Sequence, residues 1–554
     1  DTWKITRKLT LDYGVRYDYS TYSKDTYGRV PGFSATTPNP TAGGHPGASI
    51  FEGDGPGHCN CNLANNYGLA IGPRIGVAYQ LDSKTVLRGG IGVSYAPYTG
   101  GRYAGAPGAQ QTVNAPGTAD PAMIFSGGFT NTVAGVTSPF RVTWPNITPG
   151  LFPAPGTITG TPTVFDQNSG RPARQLQYSI GIQREIFRNL AIDVSYVGNR
   201  GVWWRTNSLT NLNIYSQDFL KSQYGLDITN AADRTILSAQ IQQPAAKQFQ
   251  NKLPYAGFSG SNSVAQSLRP FPQFGNLQGP GPLGNTWYDS LQAKVTKRFS
   301  HGLDASYTFT WAKELQLGAD TDGGGALGQT FNDILNRGIN KSYSSFSRPL
   351  VSILAINYTL PKWGTNKWLN YAVADWNFAT SMQYASGLPI QVPLTAATTS
   401  NLSTAFLRGT RAERIPGVPL FLQDINCHCF DPGQTRVLNP AAWKDPVAGT
   451  FSPSAMYYDD FRFRRIPRES FSFGRIFRIK EGMQFSIRAE FTNALNRTQV
   501  PNPVATGYTT AIGAQTTCPS GIKVNNTGYG VIATCGPNAT IGERSGLLVG
   551  RFSF

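Results

Sequence analysis

The sequence predicts an all-β chain that crosses a membrane as an antiparallel β-barrel. Three observations carry this reading. The composition is aromatic-rich and charge-poor, with 12% aromatic and 14% charged residues in a chain of 554, against ~25% charged in soluble domains. Apolar residues recur at every second position, and no run approaches the ~18 apolar residues of a membrane helix; mean hydropathy is −0.27. The connections between alternating segments are short and long in turn. A single soluble core is also disfavoured, because such cores stop growing near ~250–300 residues.

The strands can be justified in order, since a strand presents alternate residues to opposite faces. Over 8–20, Leu9, Leu11, Tyr13, Val15, Tyr17 and Tyr19 share one face, with Thr10, Asp12, Gly14, Arg16 and Asp18 on the other. Segments 71–81 and 85–98 follow, joined by "DSK". In 174–186 the apolar set is Leu176, Tyr178, Ile180 and Ile182; in 190–204 it is Leu190, Ile192, Val194 and Tyr196, after the turn "FRN". Segments 286–300 and 303–315 meet at "HG", the second alternating Leu303, Ala305, Tyr307, Phe309 and Trp311 with Asp304, Ser306, Thr308 and Thr310. Segments 347–361 and 372–388 flank a Trp-containing turn. Segments 469–480 and 483–496 meet at "EG", and 542–554 closes the series of about twelve. Helical spacing fits none of them.

Alternation alone also suits a soluble sandwich. The connections decide against it. The long ones, near 21–70, 99–173, 205–285, 316–346, 389–468 and 497–541, are rich in Gly, Pro, Asn, Ser and Thr. Long loops outside and tight turns inside mark an outer-membrane barrel. The opening "DTWKITRKLTLDYG" has no initiator methionine and no leader-like segment, so the chain is read as a piece of a longer protein.

Sites for chemistry are sparse. "GGGALG" (323–328) satisfies G-x-G-x-x-G but sits in a long loop, without the strand and helix a dinucleotide site needs. "DTDGG" (320–324) begins like a calcium loop and lacks its bidentate Glu. The groups His58, Cys59, Cys61 and Cys427, His428, Cys429 offer weak metal-ligand sets. The C-x-C spacing is tight for zinc, and an oxidising compartment favours disulfides, within or between the two loops. Cys518 and Cys535 flank a stretch with strand-like arms around "NNTGYG", so a hairpin there would bring them together as a disulfide. No catalytic constellation stands out, and we read the chain as a non-enzyme with no cofactor. Net charge is +17, but the basic residues form neither long tracts nor aromatic–basic stripes, which disfavours nucleic acid.

The phrases "DTWKITRKLTLDYGVRYDYS", "LAIDVSYVGNRG", "YDSLQAKVTKRFSHGLDASYTFTWAKEL" and "FSIRAEFTNALNRTQVPNP", in this order, resemble the barrel of TonB-dependent outer-membrane receptors, in particular their Oar-like branch. The resemblance runs through nearly all strand regions and is weak in the loops. It implies that residues 1–554 are the C-terminal part of a 22-stranded barrel, about its last twelve strands. A plug and an N-terminal carboxypeptidase-regulatory-like domain would lie outside this sequence. It implies energised uptake of a bulky nutrient across the bacterial outer membrane; the alternative is an Oar-like surface barrel serving adhesion, envelope organisation or secretion. Implied partners are outer-membrane lipid and lipopolysaccharide, TonB through the plug, the barrel-assembly machinery, and a ligand that is carbohydrate, peptide or siderophore. Phe552 and Phe554 resemble the terminal aromatic signal for membrane insertion, although Val549 stands where Gly is usual. Strand arginines and lysines would pair with plug carboxylates or line an anionic path.

The alternation also assigns faces. Tyr13, Tyr17, Ile180, Val194, Phe309, Phe485 and Phe552 should meet lipid, and Asp12, Arg16, Gln183, Thr308, Arg488 and Arg551 the lumen. Phe485→Arg should then impair assembly far more than Arg488→Phe. The residues that bind ligand are not readable from the sequence.

Overall fold

The computed structural model describes the chain except residues 20, 23, 25–30, 56–57, 97–129, 134–135, 140–161, 163, 207–208, 280, 319–331, 363–367, 369, 371–372, 396–410, 428, 498–500, 506, 519–520, 522, 526 and 533–543. Thirteen strands lie side by side in one antiparallel sheet, each paired with its neighbour in sequence. They are β1 (Thr2–Lys4), β2 (Leu9–Asp18), β3 (Ala70–Gln80), β4 (Thr85–Tyr95), β5 (Arg174–Phe187), β6 (Leu190–Thr206) and β7 (Gly281–Ser300). They continue with β8 (Leu303–Leu317), β9 (Leu350–Thr359), β10 (Trp376–Ala385), β11 (Ile466–Lys480), β12 (Met483–Thr492) and β13 (Ser545–Ser553). A two-residue strand, Ser342–Tyr343, adds to the end of β8.

All twelve expected segments are strands. The differences lie at their ends. An extra strand, β1, precedes the first expected segment and pairs with it, Trp3 opposite Leu11. Strand β6 runs to Thr206 through an irregularity between Val202 and Trp204, where Trp203 takes a φ of 64°. The extra residue lets the ladder continue beyond the point where strict alternation fails. Strand β12 stops at Thr492 because Asn493 enters the left-handed region (φ 44°).

Tight turns follow from residues that tolerate positive φ. At "HG", both His301 (53°) and Gly302 (81°) adopt it, as a two-residue hairpin with the right twist requires. Because neighbours pair in sequence and antiparallel, the turns joining β3–β4, β5–β6, β7–β8, β9–β10 and β11–β12 all lie at one end of the sheet. The long connections lie at the other.

The register carries the two faces across the wall, since directly paired residues point to the same side. One row runs Ile180, Tyr196, Leu291, Trp311, Leu350. Three residues along, the opposite face reads Gln183, Asp193, Lys294, Thr308, Ile353, Gln383, Arg468. Tyr13, Tyr17, Ile180, Val194, Phe309, Phe485 and Phe552 fall on the apolar face, and Asp12, Arg16, Gln183, Thr308, Arg488 and Arg551 on the polar one, by the same pairings.

Burial is inverted relative to a soluble domain. The apolar wall face is open: Val15 is 72% exposed, Ile180 66% and Leu548 70%. Among the described residues, every buried hydrophobic side chain larger than alanine lies in the connections. A soluble monomer does not leave so large an apolar patch in water.

Candidate functional site

Two features at the polar face and long-loop end bear on function. The first is a furrow of ≈ 810 Å³ on the polar face of β2–β5, lined by Asp12, Arg16, Asp18, Arg74, Gln177 and Ser179. The sequence makes room for it with glycines at polar-face positions. A Cβ on Gly72 would stand 2.6 Å from the Val93 carbonyl oxygen, and one on Gly14 3.0 Å from Arg74 Nε. Arg16 Nε donates to Asp18 Oδ1 at 2.8 Å; further round the wall Arg488 and Glu490 pair at 2.6 Å on the same face. Such i, i+2 pairs are what alternation produces when one face is wet and charged. The furrow is thus a polar floor lined by guanidinium, carboxylate, amide and hydroxyl groups.

The second feature is a folded cap. The connection between β6 and β7 forms three short helices, α1 (Gln217–Tyr224), α2 (Ala231–Ser238) and α3 (Val264–Ser267). Ser216, Asn230 and Ser263 cap their N-termini through side-chain oxygens. Leu220, Ile228, Leu237, Phe249, Val264 and neighbours close over one apolar cluster, with Ala42 from the first long connection. Gln273 Nε2 donates to the Pro46 and Gly47 carbonyls, and Phe33 sets its ring edge-on to Phe271 at 4.8 Å. Gly47 is obligatory at this junction: its φ is 103°, and a Cβ would lie 2.5 Å from the Phe271 ring.

A second cluster joins the β10–β11 connection to the last one. Ile390, Val437, Leu438, Trp443, Phe461, Tyr508, Tyr529 and Ile532 are buried together. The two halves of the cap touch where Arg234 Nη1 donates to Ala448 O and Phe451 packs on the first cluster. Each half buries an arginine. Arg411 is 1% exposed and donates to Val392 O; burial lowers its pKa to about 10. Burial likewise lowers Arg269 to about 10, beside Tyr215. Asp227, between α1 and α2, accepts from the Thr229 hydroxyl and N–H, from Gln217 Nε2 and from Lys221 Nζ. The Thr229 hydroxyl, then its N–H, then Lys221 hold the Asp227 carboxyl down at about 2.

The sequence-derived candidates fall as follows. Cys59 and Cys61 are bonded to each other, and so are Cys427 and Cys429; oxidised sulfurs are not thiolate ligands. His58 stands beside the first pair, and His428 lies outside the described residues. No group of three metal-ligating side chains occurs among the described residues. Cys518 is disulfide-bonded; its expected partner Cys535 lies outside the described residues, as do "GGGALG" and "DTDGG".

The expected hairpin is displaced. Thr516–Thr517 pairs with Lys523–Val524, so Cys518 follows an arm instead of ending the expected one, and the last connection contributes to a buried core. The reason is the apolar run after the turn: Tyr529, Val531 and Ile532 are buried at 0% exposure. Phe552 stands opposite Phe485, and its ring lies 6.2 Å from that of Phe554. Sequence reasoning missed the furrow, the cap cores and both buried arginines. The alternating glycines of β3 and β4 were the available signal for the furrow.

A family model described as an outer membrane beta barrel domain matches residues 1–531, and the chain belongs to this family. No curated protein matches it in sequence. Among solved structures it is similar to a mutant of the ferric enterobactin receptor of Pseudomonas aeruginosa, at 8% identity and TM-score 0.40, covering 100% of this chain and 44% of that one. It is also similar to the outer membrane transporter YddB from Escherichia coli, at 9% identity and TM-score 0.36, covering 91% and 42%. The ferric-catecholate import receptor Fiu from E. coli gives 10% identity and TM-score 0.36, covering 100% and 43%. The chain spans less than half the length of these structures. The family match makes the chain an outer membrane β-barrel domain, whose sheet has one apolar and one polar face and carries its cap at the long-loop end.

Proposed function

We propose that this chain is the wall and outer cap of a TonB-dependent receptor that takes up a bulky nutrient with energy supplied from the inner membrane. One observation carries the reading: a charged, glycine-floored furrow on the lumenal face, under loops that have hydrophobic cores of their own. A passive pore needs no cored cap, whereas a receptor that must present fixed contacts to a scarce ligand does. The resemblance of the strand sequences to these receptors supports it. The ligand class remains carbohydrate, peptide or siderophore. The lumenal arginines, among them Arg16, Arg74 and Arg488, would contact a plug or an anionic ligand.

The test uses the full-length receptor in its own cells. Radiolabelled candidate nutrients from the three classes are supplied with the receptor present, deleted, or present after collapse of the proton-motive force. The proposal expects one class whose accumulation requires both receptor and force. Unchanged uptake of all three on deletion, with loss of surface attachment or envelope integrity, would replace it by the adhesion or envelope reading.

A further inference from the structure

The cap carries a disulfide that the transport reading does not use. Cys427 is bonded to Cys429 across a single residue, in the β10–β11 connection. A cross-link stabilises a fold chiefly by restricting the unfolded chain, and the gain grows with the number of residues it encloses. A bond between residues two apart encloses almost nothing, so this one adds little to stability.

The segment is already held without it. Cys427 N–H donates to Asp424 O at 3.0 Å, and Asn426 N–H donates to Asp424 Oδ1 at 2.9 Å. From across the cap, Arg465 N–H donates to Asn426 Oδ1 at 2.8 Å. On one side of the bond Ile425 is buried in the second cluster; on the other Phe430 packs against that same cluster. Both flanks are anchored by backbone hydrogen bonds and apolar contacts.

The bond is also open to attack. Cys429 is exposed. The other short pair differs here. Cys59 and Cys61 are both half-buried, with Cys59 N–H donating to Phe51 O and Cys61 O accepting from Gly53 N–H. Thiol–disulfide exchange requires access to one sulfur, and exposed disulfides are the labile ones. Beside the bond lies room for an incoming molecule. A hollow of ≈ 380 Å³ begins at Asn426, one residue before Cys427, and its lining includes Gln423, Asp424, Asp460 and Arg465. It presents carboxylate, guanidinium and amide groups together, which suits a small thiol that carries both ammonium and carboxylate groups.

We propose that Cys427–Cys429 is a thiol–disulfide exchange site for a low-molecular-weight amino-acid or peptide thiol. The thiolate of that molecule attacks Cys429 Sγ. A mixed disulfide forms as the Cys427–Cys429 bond breaks, and the electron pair of that bond leaves on Cys427 Sγ, which takes a proton from water. Return attack by the Cys427 thiolate expels the small thiol and restores the ring, with no net oxidation. Attack by a second small thiolate on the small-molecule sulfur instead releases the oxidised dimer of the thiol and leaves two cysteine thiols, two electrons having passed to the protein. The proposal is independent of what is transported.

The test incubates the full-length protein, in non-ionic detergent, with reduced glutathione. The reaction is quenched with acid, free thiols are alkylated, and the cysteine peptides are weighed after digestion. The expected result is glutathione on Cys429 and the alkyl group on Cys427, appearing at least ~10-fold faster than any modification of Cys518, which is also disulfide-bonded. Cys427→Ser with Cys429→Ser should abolish that capture and leave protease cleavage of the 390–465 connection at its original rate, because the bond is not what holds the segment. No mixed disulfide at Cys429, capture on Cys427 instead, capture no faster than at Cys518, or faster cleavage of the double variant would each overturn the proposal.

Discussion

Replacing Ile182 by arginine should cost the wall far more than replacing its neighbour Gln183. Ile182 lies on the apolar face of β5, between Leu87 and Val194, and is 41% exposed. It is five residues from the end of β5 at Phe187, or ~12 Å above the turns at ~3.3 Å per residue and a ~45° tilt, close to the middle of a ~25 Å band. Arginine at that depth costs roughly 2–4 kcal/mol, about 1.5–3 decades in the folding equilibrium. Gln183 points the other way, between Val86 and Asp193, where a guanidinium meets water and a carboxylate; Gln183→Arg should change stability by less than ~0.5 kcal/mol. Urea titration of the full-length protein in lipid vesicles, read by tryptophan emission and by heat-resistant migration on gels, measures both. Equal destabilisation by the two variants would refute the facing argument. Phe485→Arg is a weaker probe, because Phe485 sits two residues above the start of β12 at Met483, where the cost falls to ~0–1 kcal/mol.

Other outcomes follow from the cap. Trp443→Ala removes a ring that is 3% exposed and packed at 5.4 Å on Phe461; it should destabilise the cap by ~3–5 kcal/mol and speed protease cleavage in the 390–465 connection, leaving heat-resistant wall migration intact. Gly47→Ala should loosen the junction of the first connection with the β6–β7 connection, seen as faster hydrogen exchange at 31–51 and 271–275. Because the folded Asp227 carboxyl titrates near 2 and the unfolded one near 3.8, its stabilisation is complete above pH ~4 and is lost as pH falls through 2. Proteolysis of the α1–α2 segment should accelerate across that window in the native protein, and Asp227→Asn should remove the dependence. Thiol labelling of the unreduced protein should modify neither Cys518 nor Cys535; modification of both would sink their pairing.

The wall was legible in the sequence because a membrane-facing strand carries its own signature. Each residue of "LDASYTFTW" meets either lipid or the lumen, so the period of two is read without knowing any partner. The turns were legible for a similar reason: "HG" and "EG" state their backbone geometry locally. The cap was not legible. Phe33 packs on Phe271, and Trp443 shares a core with Tyr529. These partners lie in different connections, and only the folded sheet brings their connections together. Glycine- and proline-rich loops look solvated when their apolar residues are irregularly spaced, so the burial of Tyr508, Tyr529 and Ile532 has no local signature. The displaced hairpin has the same origin: "NNTGYG" has the local chemistry of a turn, but burial of Tyr529 outweighs it. The furrow was half visible, since Gly72, Gly76, Gly90 and Gly92 alternate in β3 and β4, and their shared face emerges only from the register.

The central claim is that one face of this wall touches lipid and the other water. Spin labels placed singly at each residue from Leu176 to Ile186, in full-length protein in vesicles, test it directly by relaxation with lipid-soluble oxygen and with a water-soluble nickel chelate. The account predicts oxygen maxima at 176, 178, 180, 182 and 184 and nickel maxima at 177, 179, 181 and 183, in strict opposition. Accessibilities that rise and fall together, or nickel access equal at Ile180 and Ser179, would contradict it.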